Sequence, residues 1–282
     1  MILSTDSTAN LPKDLYKKLN ISMTPMQIVL ENEIYDDLSE KLPVKEYYQK
    51  MKDGATPTTA QINEQTAREY FEDLLKKGED VLHISFSSAL SGTTSAIIRV
   101  AEELNTTHKN KIVVVDSLNA SMGEGILVLA AHDMMQQGKS IDEIATELET
   151  LKHKACAYFT VEQLKYLVRG GRVSKLSGMV GSILNIKPVL RVDEEGRLVS
   201  YKKVISRKKS IAELQNIITD KIGDKKHVYI CHADCEQDAN DLANSVETLI
   251  GAKPVVTDLT QVIGCHTGPG LLALFFFGKD GK

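Results

Sequence analysis

Val81-Leu82-His83-Ile84-Ser85, followed by Ser87-Ser88-Ala89-Leu90-Ser91-Gly92-Thr93-Thr94-Ser95, sets an apolar run of strand length ahead of a loop rich in hydroxyls and glycine. The apolar spacing over residues 94–104 predicts a helix, and residues 111–115 predict a second strand ending in Asp116-Ser117. Strand, helix and strand of these lengths predict parallel pairing with a helical crossover. Residues 120–137 predict a helix closed by Gly138, and residues 141–153 another.

Upstream, residues 2–4 predict a short strand running into the polar turn Thr5-Asp6-Ser7-Thr8. Pro12 sits where a first helical turn tolerates it, ahead of Leu15 and Leu19 at i, i+4. Residues 21–36 predict a β-hairpin around Glu31-Asn32-Glu33, and residues 44–51 a helix ended by Asp53-Gly54-Ala55-Thr56-Pro57. Asn63 is a candidate N-cap for an amphipathic helix ending near Lys77. Residues 1–150 are therefore expected to form a three-layer α/β/α domain with a mainly parallel sheet.

The second half has a different rhythm. Residues 155–160 predict a strand and 161–168 a helix that stops at Arg169-Gly170-Gly171. Residues 188–192 and 197–204 flank Asp193-Glu194-Glu195-Gly196 as a hairpin, so this sheet contains antiparallel pairs. Helices over 210–222 and 238–250 and strands over 227–231, 255–258 and 271–277 complete a mixed-sheet α/β domain, expected over residues 151–282. A ligand is expected in the cleft between the two domains.

The 282 residues carry a formal net charge of −4, with 42% hydrophobic and 26% charged residues. That balance argues against nucleic-acid binding, which needs a clustered excess of Lys and Arg. No stretch reaches the roughly 18 apolar residues of a transmembrane segment. The opening Met1-Ile2-Leu3-Ser4-Thr5-Asp6 has no basic n-region or cleavable apolar run. Cys156, Cys231, Cys235 and Cys265 are too scattered for a disulfide framework. The expected compartment is the cytoplasm.

Four polar segments fall where α/β proteins place ligands. Thr56-Pro57-Thr58-Thr59-Ala60-Gln61 offers three hydroxyls and an amide to an anion, but taken alone reads first as a Pro-containing turn with Ser/Thr caps. Ser87 to Ser95 combines a Gly with a helix N-terminus, a general anion-site architecture that ordinary N-capping by Ser91 or Thr93 also explains. Arg169-Gly170-Gly171-Arg172-Val173-Ser174-Lys175 exposes a guanidinium able to fork onto a carboxylate or phosphate, or ends a helix in a solvated basic turn. Gly264-Cys265-His266-Thr267-Gly268-Pro269-Gly270 reads as a loop presenting an imidazole.

Other chemistries have less behind them. Cys231 and Cys235 with Cys265 and His266 lack the second tight pair of a zinc site, so no metal is expected. Ser91, His266 and Asp116 or Asp6 could compose a hydrolytic triad, but no Gly-x-Ser-x-Gly elbow follows a strand. Neither a Gly-x-Gly-x-x-Gly nor a Walker A loop is present, and no cofactor is expected.

Taken in order and spacing, Thr5-Asp6-Ser7-Thr8, Thr56-Pro57-Thr58-Thr59, Ser88-Ala89-Leu90-Ser91-Gly92-Thr93 and Val115-Asp116-Ser117 resemble the DegV family. Tyr166-Leu167, Gly170-Gly171-Arg172-Val173-Ser174 and the glycine-rich heptad at 264–270 extend the resemblance along nearly the whole chain. Members of that family resemble the acyl-carrier subunit of bacterial fatty acid kinase. The resemblance implies a non-catalytic subunit that holds one long-chain fatty acid, about C14–C18, between two α/β domains. A separate kinase, related to dihydroxyacetone kinase, would phosphorylate the carboxylate.

Carried over residue by residue, Thr58 or Thr59, Ser91 and the backbone around Gly92 would bind the carboxylate. Arg172 and His266 would face the exposed head group and the partner. The family loop usually continues Thr-Ser-Gln-Pro-Ser, whereas this chain reads Thr59-Ala60-Gln61-Ile62-Asn63, so the choice between Thr58 and Thr59 stays open. Ile126, Leu127, Met179, Ile183, Leu184, Ile186 and residues 271–275 are examples of the apolar residues available to line a tunnel, or to pack a core. Burying some sixteen carbons at ~0.8 kcal/mol each offers on the order of 12 kcal/mol before association costs, so the tunnel would supply affinity and the hydroxyls orientation. The competing readings are a small-molecule hydrolase or transferase using Ser91 and His266, and a regulatory protein whose lipid is incidental.

Overall fold

A computed structural model describes residues 1–172 and 186–282. In chain order the strands are β1 (Ile2–Asp6), β2 (Ser22–Thr24), β3 (Gln27–Leu30), β4 (Glu33–Asp36), β5 (Thr58–Ala60), β6 (Val81–Ser85) and β7 (Ile112–Asp116). They continue with β8 (Ala155–Thr160), β9 (Val189–Val192), β10 (Leu198–Lys202), β11 (Ile222–His232), β12 (Val255–Asp258) and β13 (Leu272–Gly278). The helices are α1 (Lys13–Lys18), α2 (Val44–Lys52), α3 (Glu64–Leu75), α4 (Thr93–Thr107) and α5 (Met122–Gln136). After them come α6 (Ile141–Leu151), α7 (Lys165–Arg169), α8 (Arg207–Lys221), α9 (Glu236–Ile250) and α10 (Gln261–Thr267).

The first sheet is parallel throughout, in the order β2-β1-β6-β7. Strands β1 and β6 are buried along their whole length, as strands covered on both faces by helices must be. The second sheet runs β10-β9-β8-β13-β11-β12, antiparallel except for the β11–β12 pair. The fold is thus α/β, with one parallel and one mixed sheet. A small antiparallel sheet, β4-β3-β5, is inserted ahead of β6. Helix α5 contacts β1 and β6 of the first sheet and β8, β11 and β13 of the second, and its side chains are buried almost all round. Local signals set the ends: Asn63 Oδ1 accepts from Thr66 N–H at 2.9 Å, and Ser140 with Glu143 closes a capping box on α6. Among the described residues, no helix is long and apolar enough to cross a membrane.

Four segments differ from the sequence reading. The hairpin expected over 21–36 divides: Ser22–Thr24 joins β1 in parallel, and only β3 and β4 form the hairpin, with Glu31 and Asn32 in the left-handed region at φ 55° and 67°. Thr58–Ala60 is not a turn but a strand, because the free edge of β3 pairs Ile28 with Thr59. The helix expected over 161–168 shrinks to α7, since Lys187 Nζ holds the Glu162 carbonyl at 2.7 Å and Val161 is buried in the core. His266 lies on α10 rather than in a loop, and Gly264 is a helical residue packed against the Tyr48 ring.

Candidate ligand-binding site

Alternation along β13 creates the floor of the site. Leu272, Leu274 and Phe276 point into a core beneath α8 and α9, so Leu271, Ala273 and Phe275 face the other way, towards the first sheet. There they line a cavity of about 220 Å³. Ala157 and Phe159 of β8, Val192 of β9 and Leu198 of β10 extend the same wall. Leu259, Val262 and Ile263, around the start of α10, close it from the small-sheet side.

The polar lining gathers into a ring of contacts. Thr59 Oγ1 and His266 Nε2 are 2.9 Å apart. His266 Nδ1 has no hydrogen-bond partner and lies over Gly170, where a Cβ would stand 2.5 Å from it. Arg172, two residues on, donates from Nη1 to the Gly170 carbonyl and from Nε to the Leu90 carbonyl at 3.3 Å. Ser91 follows Leu90, and Gly92 carries no side chain because the Gln61 amide occupies that space. Gln61 in turn is two residues from Thr59, on the same edge of the small sheet, which closes the ring. Thr59, Gln61, Ser91, Arg172 and His266 all line the cavity. Each of them keeps some solvent exposure, whereas Ala157, Phe159, Ala273 and Phe275 are buried, so the ring stands at the open end.

The two readings of Ser91 coexist. Its Oγ accepts from Thr93 N–H at 3.2 Å and donates to Thr93 Oγ1 at 3.0 Å, so it ties down the first turn of α4 while lining the cavity. Burial, then the charges of Arg172 and Arg169, push the His266 imidazole down to about 4. At neutral pH the ring is uncharged and carries one N–H.

The structure brings Thr59, Ser91, Arg172 and His266 together at one opening, with Gly92 behind Gln61. Thr58 is exposed and does not line the cavity. Of the apolar candidates, Leu271, Ala273 and Phe275 line the cavity, while Ile126 and Leu127 belong to the buried core. Ile186 makes an isolated bridge with Ile205 and is not part of the lining. Met179, Ile183 and Leu184, and Val173, Ser174 and Lys175 of the basic segment, lie outside the described residues. The sequence reading did not pick out Met26, Phe86 and Ser121, which also line the cavity: Met26 and Ser121 lie outside the polar segments, and Phe86, just ahead of Ser87, reads as an apolar strand end.

A hydrolytic triad is not assembled. Ser91 bonds Thr93 and not His266, and the second ring nitrogen of His266 has no carboxylate. Asp6 is bonded to Thr8 and Phe86, and Asp116 to the backbone of Ser88 and Leu118. Cys231, Cys235 and Cys265 are dispersed against Ser121, Leu271 and Pro57, and no three metal-ligating side chains converge among the described residues.

Comparison with known proteins agrees with the fold. The family model described as "Uncharacterised protein, DegV family" matches residues 2–279. The chain is 39% identical over 282 residues to a DegV domain-containing protein of Clostridium perfringens, covering 98% of this chain and 97% of that one. A DegV family protein of Thermus thermophilus, solved as a fatty-acid-binding protein, is 31% identical with a TM-score of 0.86, over 98% of this chain and 99% of that one. DegV of Bacillus subtilis, described as a fatty acid binding protein, is 28% identical with a TM-score of 0.87, over 99% of each chain. With the family model spanning almost every residue, and relatives aligned end to end, this chain belongs to the DegV family.

Proposed function

We propose that this protein binds one long-chain fatty acid of about C14–C18 between an N-terminal domain of residues 1–150 and a C-terminal domain of residues 151–282, and presents the carboxylate to a partner kinase. The observation that carries this reading is the asymmetry of the cavity: mainly apolar walls, with Thr59, Gln61, Ser91, Arg172 and His266 gathered at the mouth, and the buried hydroxyls of Ser121 and Thr267 turned to partners within the protein. Apolar burial supplies affinity and the ring supplies orientation. A proton on His266 Nε2 donates to Thr59 and leaves the Thr59 hydroxyl proton for the carboxylate, beside the N–H groups around Gly92 and the Ser91 hydroxyl, which turns from Thr93 Oγ1 to reach the acid. Arg172 is held by two backbone carbonyls and retains N–H groups that face the head group. The role of the chain is that of a lipid-binding subunit, and phosphoryl transfer belongs to the kinase, of the dihydroxyacetone kinase type in the resembling system. The cytoplasm, where acyl phosphate would be made, is the compartment this reading requires.

The test is to denature the purified protein, extract it with organic solvent and quantify the released acids by mass spectrometry. Close to one equivalent of a long-chain acid supports the reading. No lipid, and no uptake of added palmitate or oleate, overturns it. The kinase step has its own test in His266→Ala, expected to retain bound acid but to lose its phosphorylation by an acyl-carrier-dependent kinase.

A further inference from the structure

Beneath the cavity, on the far side of the loop that carries Ser91, two carboxyl groups are buried without a cation. Asp6 at the end of β1 and Glu124 in α5 are both 0% exposed. Two threonine hydroxyls serve both of them. Thr5 Oγ1 stands 2.8 Å from the Ile84 carbonyl and 2.9 Å from Glu124 Oε1. Thr8 Oγ1 contacts Asp6 Oδ1 and stands 2.8 Å from Glu124 Oε2. These are four oxygen–oxygen contacts, and the two hydroxyls bring only two protons. Because a carbonyl can only accept, Thr5 donates to Ile84, and its contact with Glu124 lacks a proton unless the glutamate supplies one.

We propose that Glu124 carries a proton in the folded protein at neutral pH, and that this proton lets Asp6 remain charged and hold the cavity loop in place. The two acids differ in their partners. Asp6 accepts two backbone N–H groups, from Thr8 at 2.9 Å and from Phe86 at 3.1 Å, which favour a carboxylate. Glu124 has only hydroxyls. With the proton on Oε1, Glu124 donates to Thr5, Thr5 donates to Ile84, and Thr8 gives its one proton to charged Asp6, which leaves Thr8 Oγ1 and Glu124 Oε2 in contact at 2.8 Å without a proton between them. Asp6 is then a positioning residue: it fixes Phe86, the first residue of the loop that ends in Ser91, while Thr94 of α4 bonds the Phe86 carbonyl from the other side. The titratable groups facing Glu124 are Asp6 of β1, Asp116 at the end of β7 and Tyr16 of α1, and none of them is a cation. On α5 the cations of β11, Lys226 and His227, pair with Asp133, and among the described residues no Lys, Arg or His forms a hydrogen bond or ion pair with Glu124 itself. Burial, then the charge of Asp6, drives the Glu124 carboxyl well upward; burial raises Asp6 too, against the hydrogen bonds from Thr8 and Phe86 that hold it down.

The effect of this proton on the cavity loop rests on the fatty-acid reading, whereas the location of the proton does not. Infrared spectra of the full chain at pH 7, with and without 13C-carboxyl glutamate, should show a protonated-carboxyl band that shifts with the label. Absence of a shifting band overturns the proposal without any variant. Glu124→Gln keeps a donor at the position of the acid and should be more stable than the parent at neutral pH. The ratio of their unfolding constants should grow about tenfold per pH unit above pH 5, until Glu124 ionises in the fold. Glu124→Gln that is less stable, with a flat ratio, overturns the proposal. In protein loaded with palmitate, release should accelerate at alkaline pH in the parent and not in Glu124→Gln; equal pH profiles overturn the link to the loop. A chain that takes up no palmitate refutes the fatty-acid reading, and the infrared and unfolding results then still decide where the proton lies.

Discussion

Ala273→Leu tests whether an acyl chain fills the cavity. Ala273 is 3% exposed on β13, opposite Phe159 of β8, and its Cβ faces the cavity between Leu271 and Phe275. Leucine adds three carbons there, and the neighbouring phenylalanines leave the cavity as the direction of growth. An acyl chain that reaches this wall must then give up about three methylenes, or about 2.4 kcal/mol at ~0.8 kcal/mol each, close to a fiftyfold loss in affinity. A chain too short to reach the wall loses nothing. Competition binding with saturated acids of increasing length should therefore show the longest acids weakened about fiftyfold and the shortest unchanged. Mass spectrometry of acids retained from the expression host should shift to shorter chains. Thermal unfolding of the lipid-free variant checks that β13 still packs. If the variant folds and both the length profile and the affinities match the parent, the acyl chain does not occupy this cavity.

Three further outcomes are expected. Thr59→Ala combined with Ser91→Ala removes two neutral donors at about 1 kcal/mol each, so dissociation of a bound acid should speed up by more than tenfold; unchanged release would remove these hydroxyls from the head-group assignment. Burial pushes the His83 imidazole down to about 3, so between pH 6.5 and that value the unfolded chain holds a proton that the folded chain refuses. Stability is full above pH 6.5 and should fall by up to about 1.4 kcal/mol per pH unit from this group as pH drops, and the slope should be shallower in His83→Gln by urea unfolding at pH 4–7. Gly264→Ala places a Cβ against the Tyr48 ring, whose hydroxyl bonds the Leu259 carbonyl at 3.0 Å, and should cost about 1–3 kcal/mol in denaturant unfolding.

Much of the architecture follows from local chemistry. The apolar runs at Val81–Ser85 and Ile112–Asp116, separated by a helix-length segment, dictate a right-handed crossover and hence a parallel sheet. Gly196, at φ 76°, closes the β9–β10 turn, so the hairpin of the second sheet was equally legible. The polar segments were visible too, because hydroxyls, glycines and an arginine at strand ends have few structural uses that require all of them.

Tertiary structure decided the rest. The residues from 58 to 60 read as a turn until β3 offers an open edge, and that edge turns Thr59 towards His266 while leaving Thr58 outside. Alternation along β13 was readable, but which face meets the cavity depends on α8 and α9 covering the other one. The contacts that Asp6 and Glu124 make with the same threonine, Thr8, have no trace in a chain where the two acids stand 118 positions apart. Sequence by itself determined most of the elements, the parallel β6–β7 pair and the β9–β10 hairpin, since periodicity and turn chemistry act over a few residues. Only the packed structure determined which side chains share a dry space, because burial and hydrogen-bond geometry depend on neighbours that the chain brings together last.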